Sequence, residues 1–119
     1  MMKPYALVIT GNLEKARHYQ NALGEVGFQV LSVTTGARAQ AQLAFTTPNL
    51  IVLDMRLPDI PGRVVLRQIN ACRRLENTYL ILLSASQKLM EDHDHPAPIR
   101  IIDRSVSAAD LASLAAEMS

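Results

Sequence analysis

The segment Leu50-Ile51-Val52-Leu53-Asp54 narrows the folds open to this chain more than any other. Four apolar residues run into a single carboxylate, with Pro58 and then Gly62 following in the next turn. A continuous apolar run of strand length marks a strand covered on both faces, as in a parallel sheet. An acid closing such a strand sits where open α/β sheets hold their ligands, just outside the carboxyl ends of the strands.

Similar runs recur along the chain. Tyr5 to Thr10 lies between Pro4 and Gly11, and Phe28 to Val33, Thr78 to Ser84 and Ile99 to Asp103 follow. Helical spacing fills the intervals. Asn12 caps a first helix with Leu13, Ala16, Leu23 and Val26 as its apolar positions, ended by Gly24 and Gly27. Thr35 caps a second, with Ala37, Ala41, Leu43 and Ala44 as a thin apolar face, stopped by Thr47-Pro48. Gly62 opens a third, with Val64, Val65, Leu66 and Ile69, reaching about Leu75. Ser107 caps a last helix carrying Leu111, Leu114, Ala115 and Met118.

Strands alternating with helices predict a doubly wound α/β fold. The flavodoxin-like arrangement is expected, with five parallel strands in the order 2-1-3-4-5. Its crevice falls between strands one and three, at Thr10-Gly11 and Asp54. One unit breaks the rhythm. From Ser86 to Pro98 only Leu89 and Met90 offer an apolar face, and Pro96 and Pro98 forbid a continuous helix. A degraded fourth helix is predicted there, confined to about Gln87 to Asp92, as the weakest-ordered part of the fold.

A length of 119 residues suits a single domain, 1–119. A net charge of +1 with interspersed signs gives no nucleic-acid or membrane footprint. The single cysteine, Cys72, leaves no internal disulfide and reads as a small buried or half-buried apolar residue in a helix. No apolar run approaches the ~18 residues of a membrane span, and the N-terminus lacks a signal-peptide layout, so a cytoplasmic protein is expected. His18 belongs to the outer face of the first helix. His93-Asp94-His95 reads as polar loop rather than as metal ligands. Thr10-Gly11-Asn12 lacks the spacing of a nucleotide-binding loop, and no nucleophile–base pair is legible, so the chain does not read as an enzyme.

The stretch from Pro48 to Gly62 resembles the phospho-accepting strand and loop of response-regulator receiver domains of the chemotaxis-regulator type. The resemblance extends over essentially the whole chain. It implies a module of two-component or phosphorelay signalling, with Asp54 as phospho-acceptor. Arg56 matches the residue whose backbone carbonyl completes a magnesium shell, Pro58 and Gly62 match the loop, and Ser84, followed by Ala85, matches the switch hydroxyl. Departures from the family pattern are equally definite. Thr10 and Gly11 stand where the family has an acidic pair, Arg104-Ser105 where it has Lys-Pro, and Ile101 where it has an aromatic switch. Magnesium prefers one or two carboxylates besides phosphate and water, so the resemblance implies at most a weak magnesium site. An arginine fork does not reproduce the point charge of a lysine.

The chain is thus identified as an atypical receiver lacking the acidic pair. Arg104 is open to two roles, holding a phosphoryl group or another anion, or pairing with Asp54 or Asp103. Ser84 is open to two as well, a switch hydroxyl or a plain strand-end polar residue. The partners implied are a sensor histidine kinase or phosphotransfer protein, with an effector domain or a second copy engaged through strand five and the last helix. The alternative is a phosphorylation-independent interaction or dimerisation module in which Asp54 is a relic. An aspartate restored at Gly11 would be strained if φ there were positive.

Overall fold

The computed structural model describes residues 2–85 and 99–118. The expectation of a degraded helix between Ser86 and Pro98, and the reading of His93 and His95, lie outside the described residues. Five strands, β1 (Tyr5–Ile9), β2 (Gln29–Val33), β3 (Leu50–Asp54), β4 (Tyr79–Leu83) and β5 (Ile99–Ile102), form one sheet in the order β2-β1-β3-β4-β5. Every pairing is parallel. Four helices, α1 (Leu13–Glu25), α2 (Gly36–Phe45), α3 (Gly62–Ala71) and α4 (Ala108–Met118), and a short 3-10 turn (Arg73–Leu75) complete the described fold. The flavodoxin-like order is the one expected from the sequence.

Alternate residues of each strand face opposite sides, and both sides are covered. Leu7, Ile9, Ile51, Leu53, Leu80 and Leu82 pack with Leu43, Val65 and Ile69 of α2 and α3. Ala6, Val8, Leu50, Val52, Ile81 and Leu83 pack with Tyr19 and Leu23 of α1 and with Leu111 and Ala115 of α4. This parity also positions the site. Thr10 and Asp54 continue the even-numbered series that faces α1 and α4, and Arg104 follows Ile102 of the same series.

Several helix faces differ from the sequence reading. Leu13 and Val26 are exposed, and Tyr19 takes the central buried place on α1. On α2 the buried positions are Gly36, Ala39 and Leu43, while Ala37, Ala41 and Ala44 face outward. An evenly Ala-rich helix carries too little hydrophobic contrast to show its inner face. On α4, Ala112 joins Leu111 and Ala115 in the core. Val64 is exposed, and α3 stops at Ala71 rather than Leu75, with half-buried Cys72 as its cap.

The end of α1 is decided by Gly27 rather than Gly24, which lies inside the helix. Gly27 adopts φ 103°, its N–H donates to Gly24 O at 3.1 Å, and Phe28 N–H donates to Leu23 O at 3.0 Å. This is a Schellman closure, with Phe28 and Leu23 meeting in the core below it.

Gly62 is required for a different reason. A Cβ there would lie 2.6 Å from both Cα and O of Met55, main-chain atoms that cannot move aside. The Gly62 N–H also donates to Met55 O at 3.1 Å, which folds the loop after β3 back on its own start. Gly62→Ala is expected to cost about 2 kcal/mol through overpacking, read as a lowered urea midpoint with an unchanged slope.

Candidate functional site

At the carboxyl edge of the sheet, Asp54 ends β3 and is 1% exposed. Its two oxygens receive four donors. Oδ1 accepts from the Arg56 backbone N–H at 3.0 Å and from Arg104 Nε at 2.9 Å. Oδ2 accepts from the Thr10 hydroxyl at 3.0 Å and from Arg104 Nη2 at 3.4 Å. A carboxylate has about four lone-pair sites, and each is matched here by a protein donor. Arg104 makes the two-pronged contact its planar fork favours, and its side chain is 24% exposed. The hydrogen bond to Asp54 pushes the Arg104 guanidinium further up from its ordinary value. Of the two pairing partners open to Arg104 in the sequence, the structure selects Asp54.

Neighbouring groups hold this arrangement. Thr10, fully buried, accepts from Asn12 N–H at 3.3 Å while donating to Asp54. Lys15 Nζ donates to the Arg104 carbonyl at 2.5 Å, tying α1 to the segment after β5. Tyr19 donates its hydroxyl to Val106 O at 3.0 Å. Burial, then the Asp54 charge, raises the Tyr19 pKa against the opposing pull of Arg104. Asp103 turns to Ser105, whose hydroxyl and N–H hold its carboxyl below the usual value.

A cleft of about 390 Å³ opens over Asp54, walled by Gly11, Asn12, Arg56, Leu57, Pro58 and Arg104. Arg56 gives its backbone N–H to Asp54 and its exposed side chain to the cleft wall. Ser84 is one residue beyond Leu83, the register partner of Asp54, and donates its buried N–H to Ile102 O at 3.0 Å. Ile101 packs into the α2–α3 side of the core, away from the cleft. Gly11 has no positive φ, so backbone strain does not bar an aspartate there. The barrier is steric, because a Cβ would sit 2.8 Å from Cδ of Pro58.

Sequence reasoning missed two contributors. Thr10 was legible only as a lost acid, whereas it donates the hydroxyl bond that Asp54 needs. Asp59 carried no role legible in the sequence. Its Oδ1 and Oδ2 accept from the N–H groups of Gly36 and Ala37 at 2.7 and 2.9 Å, capping α2 from a loop 23 residues away. These two bonds hold the Asp59 carboxyl below its ordinary value of 3.8. A lowered folded-state pKa contributes stability that is fully present above 3.8 and lost as pH falls through the lowered value. Asp59→Asn should therefore lower the denaturation midpoint at neutral pH, and its difference from the parent should shrink as pH drops below 3.8.

Residues 7–102 match the family described as the response regulator receiver domain. The chain belongs to that family. The receiver is 34% identical over 80 residues to the transcriptional regulatory protein GltR of Pseudomonas aeruginosa, covering 67% of this chain and 33% of that protein. It therefore spans about a third of the length of the curated relative it matches. Among solved structures it superposes on the chemotaxis response regulator CheY4 of Vibrio cholerae with a TM-score of 0.85 at 12% identity, over 99% of this chain and 100% of that one. The signal receiver domain of a signal transduction histidine kinase from Syntrophus aciditrophicus gives 0.79 at 24% identity, over 97% and 89%. Both structures show the fold alone.

This is a receiver domain of two-component signalling. Receivers bind magnesium at the phosphorylation site and interact with histidine kinases or phosphotransfer proteins and with effector domains. The donors present here do not fit a divalent cation. Among the described residues, Asp54 is the one carboxylate lining the cleft, its oxygens face a guanidinium, and no group of three or more potential metal ligands occurs.

Proposed function

We propose that this receiver signals by protein contact, with Asp54 held in an internal ion pair instead of working as phospho-acceptor. The observation that carries the reading is the saturated carboxylate. Thr10, Arg56 and Arg104 fill its four acceptor sites. Attack on phosphorus needs a free oxygen lone pair and positive charge placed on the phosphoryl oxygens. Here the cation that could supply that charge is bound to the nucleophile itself.

The partner is a sensor histidine kinase or phosphotransfer protein, with an effector domain or second copy meeting β5 and α4. In this reading the domain carries no catalysis of its own and works in the cytoplasm. No helix among the described residues is long and apolar enough to cross a membrane.

Incubation with acetyl phosphate, with and without magnesium, followed by intact-mass measurement, tests this reading. No phosphoryl gain is expected in either condition. A gain of one phosphoryl group that disappears in Asp54→Asn would overturn it, making Asp54 the acceptor and Arg104 the cation that holds the phosphoryl group.

A further inference from the structure

The layer built from α2 and α3 has a charge pattern of its own. Residues 36–75 contain six arginines, no lysine and two acids, Asp54 and Asp59. Both acids are engaged, buried Asp54 with Arg104 and exposed Asp59 with the N-terminal N–H groups of α2. Arg56 belongs to the Asp54 cleft. Arg74 is committed to the carbonyls of Leu43 and Thr46 and to the Thr47 hydroxyl, bracing the end of α2. Arg38, Arg63, Arg67 and Arg73 remain exposed, and none of them enters an ion pair among the described residues.

Local electrostatics opposes this placement. Arg63 lies in the first turn of α3, where the helix dipole disfavours cations and where the helix carries no acid. Arg63 and Arg67 form a like-charged i,i+4 pair on α3. Apolar groups share the layer: Phe45, at the end of α2, is 86% exposed, and Val64 is 37% exposed. A surface that costs folding stability in charge and also exposes an aromatic has the character of a binding site.

We propose that the α2–α3 face is a docking surface for an acidic, partly apolar protein segment. Protein interfaces are enriched in arginine and aromatic residues and depleted in lysine, as this face is. The guanidinium fork matches carboxylates two-pronged, and exposed Phe45 and Val64 on the same two helices offer apolar contact. A net charge of +1 supplies none of the broad field that gathers nucleic acid. The surface is separate from the Asp54 cleft and does not depend on the state of that cleft.

Fluorescence anisotropy with a labelled helical Glu/Leu peptide, its acids and leucines on one face, tests the proposal beside a labelled duplex DNA of mixed sequence. The peptide is expected to bind and to weaken as salt rises. Arg63→Glu combined with Arg67→Glu should lower its affinity by about tenfold or more, and Phe45→Ala by about threefold. Arg17→Glu, an exposed change on α1 across the sheet, should leave affinity unchanged. Arg63→Glu places an acid at a helix N-terminus, so the charge-reversed protein should melt no lower than the parent, which separates lost binding from lost folding. Absence of peptide binding, or equal binding by the Arg63/Arg67 variant, overturns the proposal. Tighter binding of DNA than of peptide overturns it in favour of a nucleic-acid surface.

Discussion

Replacing Arg104 with alanine is expected to destabilise the domain by about 3 kcal/mol. Asp54 is 1% exposed and would keep only the Thr10 hydroxyl and the Arg56 N–H. Removing one partner of a buried pair strands the other charge, at a cost of roughly 3–5 kcal/mol. The 24% exposure of Arg104 places this case at the lower end of that range. Asp54→Asn should cost less, because a half-open guanidinium can turn to water. In the Asp54→Asn background, Arg104→Ala should then cost about 2 kcal/mol less than in the parent. Urea denaturation of the four proteins closes this cycle, and simple additivity would show that the pair does not hold the site together. Arg104→Lys should lose about 1 kcal/mol, since an ammonium reaches one oxygen where the fork reaches two.

Magnesium is expected to leave the melting temperature of the parent unchanged, and Thr10→Asp is expected to create a dependence on it. In the parent, Thr10 donates to Asp54 Oδ2 at 3.0 Å. An aspartate there replaces that bond with a second carboxylate, costing about 3 kcal/mol without metal. A divalent cation at 100 times its dissociation constant would return about 2.7 kcal/mol. Thermal melts of both proteins with and without magnesium measure the two effects. The single variant is the cleaner test, because an aspartate at Gly11 would also have to displace the Pro58 ring. A large magnesium shift in the parent would mean that Arg104 leaves Asp54 readily, and the closed-pocket account would fail.

The two variants probe one substitution of charge from opposite sides. Counter-charge for Asp54 is supplied by a side chain after β5, and a fixed cation makes an acidic pair from β1 unnecessary and unfavourable. Arg104 and Thr10 are complementary for this reason: a guanidinium and a hydroxyl both donate, and the carboxylate needs only donors.

Strand positions, sheet order and the location of Asp54 were legible along the chain, because they rest on local periodicity. A run such as Leu50 to Leu53 can be satisfied only by cover on both faces, and parallel strands with right-handed crossovers leave few ways to arrange them. Gly27 and Ser107 were readable as helix punctuation for the same local reason, and Ser107 caps α4 with its hydroxyl 3.1 Å from the Asp110 N–H. The inner face of α2 was not readable, since alanines on every side give no contrast. Which of its two roles Arg104 takes, and the partner of Asp59, were beyond the sequence for a different reason. Arg104 meets Asp54 across 50 residues and Asp59 meets Gly36 across 23. Residue types limited Arg104 to a cation's roles. Which of those roles it takes depends on distances of a few ångströms, and these exist only once the ends of β1, β3 and β5 are brought side by side.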